Sequence, residues 1–316
     1  MQALTNDMNG SSDNIISAHG ANGANGAHGA NGANGANGAN GARGANGARD
    51  ALAALALLLA APALPGCAED AEDAALGTAE AAALRADGAL ARDVLLVHGA
   101  FADGSSWAGV IGRLQRDGYT VRAVQLPLQS LAGDAAIVRR EIERIGRPVV
   151  VAGHSYGGAV ITEAAAGASN VTGLVYAAAY APDQGESLGA LNAGFPATEL
   201  LGALMFDSLG NATIEPAAFT RLFAPDAPPQ QARVLAAAQG AISGAIFGTP
   251  AGAPAWRDIP AWYQVSTEDQ VIHPELQRFV AARMHAHVVE LPASHASPVA
   301  QPHAIAKLIE TAAYGQ

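Results

Sequence analysis

The run Pro148-Val149-Val150-Val151-Ala152 leads directly into Gly153-His154-Ser155-Tyr156-Gly157-Gly158 and then into Ala159-Val160-Ile161-Thr162-Glu163-Ala164. An apolar, β-branched segment, a glycine-rich turn and a helix-compatible segment in that order predict strand, tight turn, helix, with a serine at the apex. The Gly-x-Ser-x-Gly spacing has a mechanical reason. The turn is so sharp that side chains at Gly153 and Gly157 would collide with neighbouring backbone, and the serine is held strained and exposed. Ser155 is therefore the expected nucleophile.

A serine hydroxyl is a weak nucleophile at neutral pH, so the chemistry requires a base, a carboxylate to orient the base, and donors for the developing oxyanion. On an elbow of this kind the chain order is serine, acid, histidine. Ala261-Trp262-Tyr263-Gln264-Val265-Ser266 reads as a buried strand running into Thr267-Glu268-Asp269, which places two carboxylates beyond a strand end. Asp269 is favoured as the acid because it is the shorter and is followed by the apolar pair Val271-Ile272; Glu268 is its rival. His287-Val288-Val289-Glu290-Leu291 reads as a further strand, and His295 follows in the loop before a last helix around Ile305, Leu308 and Ile309. Strand-end loops are where an α/β sheet presents its functional groups.

The other histidines suit other roles. His19 and His28 lie in a low-complexity tail, His98 and His154 sit in turns where they orient backbone, and His273, His285, His287 and His303 fall at surface or capping positions. His295 is the expected base by order and context. The oxyanion donors should be two backbone amides, one from the residue after the serine and one from an earlier strand-to-helix loop. Tyr156 supplies the first. Asp93-Val94-Leu95-Leu96-Val97 runs into His98-Gly99-Ala100-Phe101, and Ala100 is chosen for the second, with Phe101 the alternative.

With these motifs in place the chain resembles the α/β-hydrolase superfamily over residues 93–315, and within it the small carboxylesterase branch that also holds plant methylesterases and hydroxynitrile lyases. The resemblance implies ester hydrolysis through an acyl-enzyme, without a cofactor, on a small-molecule ester. The lyases of that branch tend to carry threonine where this chain has Gly99, and lysine after the catalytic histidine, where this chain has Ala296. Both departures favour hydrolysis. A C–C hydrolase or lyase, a cofactor-free perhydrolase and a ligand-binding protein that keeps the triad are the alternatives.

The remaining pattern fits that fold class. Trp107, Val110, Ile111 and Leu114 recur at helical spacing; Thr120–Val124 reads as a strand; Val138, Ile142 and Ile145 share a helix face; Val171–Ala177 reads as a buried strand. Such alternation predicts a mostly parallel sheet with helices on both faces in a domain over 92–316. From about 183 to 254 the alternation stops. Short helical pieces punctuated by Gly194, Pro196, Pro216 and Pro228-Pro229 predict a small helical cap, which holds Phe195, Phe206, Phe219, Phe223 and Phe247. Either pocket lining or ordinary packing of the cap explains these rings.

Residues 1–50 read as a polar tail, with glycine at every third position from Gly20 to Gly47 and no proline in that repeat. A misassigned upstream start is the other reading. Ala51–Ala61 is apolar, too short to span a bilayer comfortably and preceded by Arg43 and Arg49, as in a signal peptide. Leu64-Pro65-Gly66-Cys67 resembles a lipoprotein processing site, so 51–67 predicts export to the periplasm or a membrane anchor through a lipid on Cys67. Cytoplasmic location follows instead if the start is misassigned. Residues 68–91 read as an acidic linker. The single cysteine allows no internal disulfide, and a formal charge of −11 disfavours nucleic acid and anionic membranes as partners. No Cys/His cluster has zinc spacing and no Walker loop is present, so neither metal nor nucleotide cofactor is expected.

Overall fold

The computed structural model describes residues 91–315. The tail, the predicted signal segment with Cys67 and nearly all of the predicted linker lie outside the described residues. Ala91, the last residue of that linker, is already buried against the core.

The central sheet follows from six apolar segments: β1 (Asp93–Val97), β2 (Thr120–Ala123), β3 (Val149–His154), β4 (Val171–Ala177), β8 (Ala261–Ser266) and β9 (His287–Leu291). Their order is β2-β1-β3-β4-β8-β9, and every neighbouring pair is parallel. The inner strands β1, β3 and β8 are buried at every position, while edge strands β2 and β9 alternate with exposed residues. That is the expected consequence of covering a parallel sheet on both faces.

Alternation along β1 divides the core. Leu95 and Val97 face a cluster shared with helices α2 (Leu131–Ile145), α3 (Tyr156–Ala164) and α7 (Pro274–Arg283). Val94 and Leu96 face the other cluster, filled by Val110 and Leu114 of α1 (Ala108–Arg116) and by Ile305, Leu308 and Ile309 of α8 (Pro302–Ala313). The α2 helix begins at Ser130, whose side chain accepts from Gly133 N–H, and ends at Gly146 in the left-handed conformation. The chain leaves β1 toward β2 on one side, whereas β3 lies on the other. A crevice therefore opens beyond the carboxyl ends of β1 and β3, where an open α/β sheet binds its ligands.

Between β4 and β8 the chain forms the cap: α4 (Leu188–Ala193), β5 (Leu204–Phe206), β6 (Asn211–Ile214), α5 (Pro216–Ala218) continuing as a wide π-turn over Phe219–Phe223, α6 (Pro229–Ala238) and β7 (Ile242–Ser243). The expected small helical cap also carries strands, which the sequence pattern did not show. Strands β5, β6 and β7 form an antiparallel three-stranded sheet. At two to four residues each, they are too short for a period-two pattern to register. Phe219 and Phe223 are buried, Phe195 and Phe247 half-buried, and Phe206 is exposed. No helix among the described residues is long and apolar enough to cross a membrane.

Candidate active site

The turn between β3 and α3 has the geometry that its glycines predict. Ser155 adopts φ 55° and ψ −123°, a conformation that L side chains rarely occupy. A Cβ at Gly153 would lie 2.5 Å from the Gly157 carbonyl oxygen, and one at Gly157 would lie 2.5 Å from the Val97 oxygen and 2.7 Å from the His98 oxygen. Backbone bonds pin the apex: Ser155 N–H donates to Ala177 O at 3.2 Å, while Ser155 O accepts from Tyr180 N–H at 3.1 Å and Gly158 N–H at 3.0 Å. The strained serine is thus over-determined by its surroundings.

The structure brings Ser155, His295 and Asp269 together. His295 Nε2 lies 2.8 Å from Ser155 Oγ, and His295 Nδ1 lies 2.7 Å from Asp269 Oδ2. Since a carboxylate can only accept, Nδ1 carries the hydrogen, and Nε2 is left to accept from the serine hydroxyl. All three groups are buried, at 4%, 0% and 2% exposure. Asp269 is also anchored by Val271 and Ile272 N–H on Oδ1, at 2.7 and 2.9 Å. Glu268 points outward and is exposed; only its backbone N–H takes part, donating to Ala293 O.

Gln277 was not legible in advance. From α7 its Nε2 donates to Asp269 Oδ2 and to Ile272 O, both at 2.8 Å, and its Oε1 accepts from Ser266 N–H at 2.9 Å. The available signal was a glutamine between the buried Leu276 and Val280 of an amphipathic helix. Gln264 on β8 plays a similar part, accepting from Ser297 Oγ–H at 2.7 Å just after His295.

Of the other histidines, His98 donates through Nδ1 to Gly99 O at 2.8 Å and accepts Leu126 N–H on Nε2 at 3.0 Å. Burial lowers its pKa, which suits a neutral ring that shapes a turn. His154 donates through Nε2 to His295 O at 2.8 Å and is held well below its ordinary pKa, chiefly by burial and then by the neighbouring His295. His273 caps α7, and His287 stacks on Trp262.

The His98–Phe101 turn backs directly onto the serine, and a Cβ at Gly99 would stand 2.7 Å from Ser155 Cβ. Tyr156 opens α3, where the first-turn N–H groups have no acceptor within the helix. Its ring is fixed by a 2.7 Å bond from the hydroxyl to Asp134 Oδ2. Burial, opposed by that bond, raises the Asp134 pKa. Among the described residues no group of three His, Cys, Asp or Glu side chains could hold a metal ion.

The chain belongs to the alpha/beta hydrolase family, whose profile matches residues 94–308. It is similar to a probable hydrolase, R7, of Phoma sp., with 30% identity over 238 residues, 68% of this chain and 96% of that protein. Among solved structures it is similar to a pyrethroid hydrolase from Sphingobium faniae JZ-2, with 24% identity, a TM-score of 0.60, and coverage of 70% of this chain and 96% of that one. It is also similar to polyneuridine aldehyde esterase, with 18% identity, a TM-score of 0.61, and coverage of 69% and 97%. The family match and the R7 relative make the protein a member of the alpha/beta hydrolase family, and the two solved structures share its fold.

Proposed function

We propose that the protein hydrolyses carboxylic esters of small or moderately apolar molecules through an acyl-enzyme on Ser155. The observation that carries this reading is the unbroken relay from Asp269 through His295 to Ser155, with bonds of 2.7 and 2.8 Å. His295 takes the serine proton as Oγ attacks the ester carbonyl. The oxyanion is held by the amides of Ala100 and Tyr156, and the alcohol leaves with the proton returned by His295. Water then repeats the sequence and frees the acid. Asp269 stays ionised throughout, accepting the hydrogen bond from His295 Nδ1–H and stabilising the imidazolium. The likeness to a pyrethroid hydrolase and to polyneuridine aldehyde esterase supports an ester as the substrate.

Two features support hydrolysis over the lyase alternative. Gly99 leaves no room for a branched side chain beside Ser155, and Ala296 is buried where a lysine would have to sit. Purified Ser155→Ala is expected to lose about 10^4 to 10^6 in kcat against p-nitrophenyl esters, given that triad members act as a unit. A folded Ser155→Ala variant with wild-type turnover would refute the assignment. An acyl chain-length series on the native protein then sizes the acyl pocket.

A further inference from the structure

We propose that the cap holds the base in register, with Asp226 as a positioning residue for His295. This rests on the reading of His295 as the base.

Three sets of bonds fix the loop that carries His295. From the sheet side, His154 Nε2–H donates to His295 O at 2.8 Å, and Gln264 holds Ser297. From the acid loop, Glu268 N–H donates to Ala293 O at 3.1 Å, and Thr267 N–H to Leu291 O at 3.0 Å. The third set comes entirely from the cap. Asp226 accepts Ser294 N–H on Oδ2 at 2.8 Å and the Ser294 hydroxyl on Oδ1. Phe223 O accepts Ala296 N–H at 2.9 Å and lies 3.3 Å from Ser294 Oγ. The residues immediately before and after His295 are therefore both tied to one short stretch of the insertion. The Phe223 ring meets the His295 ring edge-on, with centroids 4.8 Å apart.

The local structure explains why this stretch can grip. Phe219–Phe223 is a π-turn closed by Ala224 N–H donating to Phe219 O, so the Phe223 carbonyl, at its end, has no partner within the turn. It is spent on the loop of the base. Asp226 is exposed and could be fully hydrated, yet both its oxygens are committed to Ser294, which is itself 1% exposed. A surface carboxylate that chelates one buried residue next to the base controls where that base sits. Angular error in a base costs rate in the chemical step while leaving ground-state binding intact.

The test compares Asp226→Ala, Ser294→Ala and His295→Ala in the full chain, with kcat and KM measured on one p-nitrophenyl ester and melting followed in parallel. Asp226→Ala should lower kcat about tenfold with KM within about twofold. Ser294→Ala keeps the backbone bond to Asp226 and should lower kcat by a smaller factor, about two- to fivefold. Should Asp226→Ala fail to fold, the Ser294→Ala value decides alone. Wild-type kcat in the folded variants with His295→Ala inactive would overturn the positioning role and leave the base in place. A rise in KM at unchanged kcat would overturn it too, making Asp226 part of the substrate wall. Near-wild-type turnover by His295→Ala would remove the base and this inference with it.

Discussion

The elbow and the cap meet at one relay, the first fixing Ser155 and the second the loop of His295, and they do so by different means. At the elbow, excluded volume sets the path of the turn, and backbone bonds then pin its apex. Val97 and His98 oxygens stand where a side chain on Gly157 would be, so the turn has one shape and Ser155 one position. At the cap, hydrogen bonds do the work, and Asp226 reaches Ser294 across 68 positions of sequence. A steric device is rigid and fails outright, whereas a hydrogen-bonded one fails in degrees.

The largest expected effect lies in the relay itself, where Asp269 can be compared with its exposed neighbour Glu268. Asp269→Asn should lower kcat by about 10^3 to 10^4, because an amide in that place favours the wrong imidazole tautomer. Glu268→Gln, altering an exposed side chain, should change it less than about twofold. Greater damage from the glutamine variant would exchange the roles of the two residues. Next in size is Gly157→Ala. Its Cβ would press on rigid β1 backbone, and a loss of about 1 to 3 kcal/mol in denaturant unfolding is expected, with turnover falling alongside. If this variant keeps native stability and rate, the steric account of the elbow breaks down.

The same contrast explains what could be read from the sequence. Gly153, Ser155 and Gly157 are packed into five positions, and their meaning is local, so strand, turn, helix and the strained serine at the apex were all legible. Asp269 and His295 were legible because an elbow fixes the order in which its partners follow and each lies just past an apolar strand. Gln277, Gln264 and Asp226 were not. Each is an ordinary polar residue on a helix, strand or loop, and acquires its role only when the fold brings Asp269, Ser297 or Ser294 to it. The antiparallel strands of the cap escaped for a related reason: β7 has two residues, and pairing with β6 rather than propensity makes it a strand.

A smaller effect bears on the elbow through pH. His98 and His154 both lie on the elbow side and are kept neutral, chiefly by burial, with folded pKa values below 6.5. The unfolded chain therefore takes up protons first as pH falls. Their contribution to stability is complete above about pH 6.5 and is lost as acid approaches the folded values. Glu310 opposes this. Burial, aided by Asp117, raises its pKa to about 7, so its contribution is present at low pH and is lost as pH rises through that value. In a Glu310→Gln background the melting temperature should thus fall steadily from pH 7.5 to pH 5. A flat profile would mean that the elbow histidines tolerate charge, contrary to their enclosure.

The central claim, that the hydroxyl of Ser155 forms a covalent acyl intermediate, is met most directly by trapping it. Treatment with a fluorophosphonate followed by peptide mass mapping should give one adduct, on the peptide that contains Ser155, forming far more slowly in His295→Ala. An adduct on another residue, or an enzyme that turns over esters while remaining unlabelled, would contradict the account.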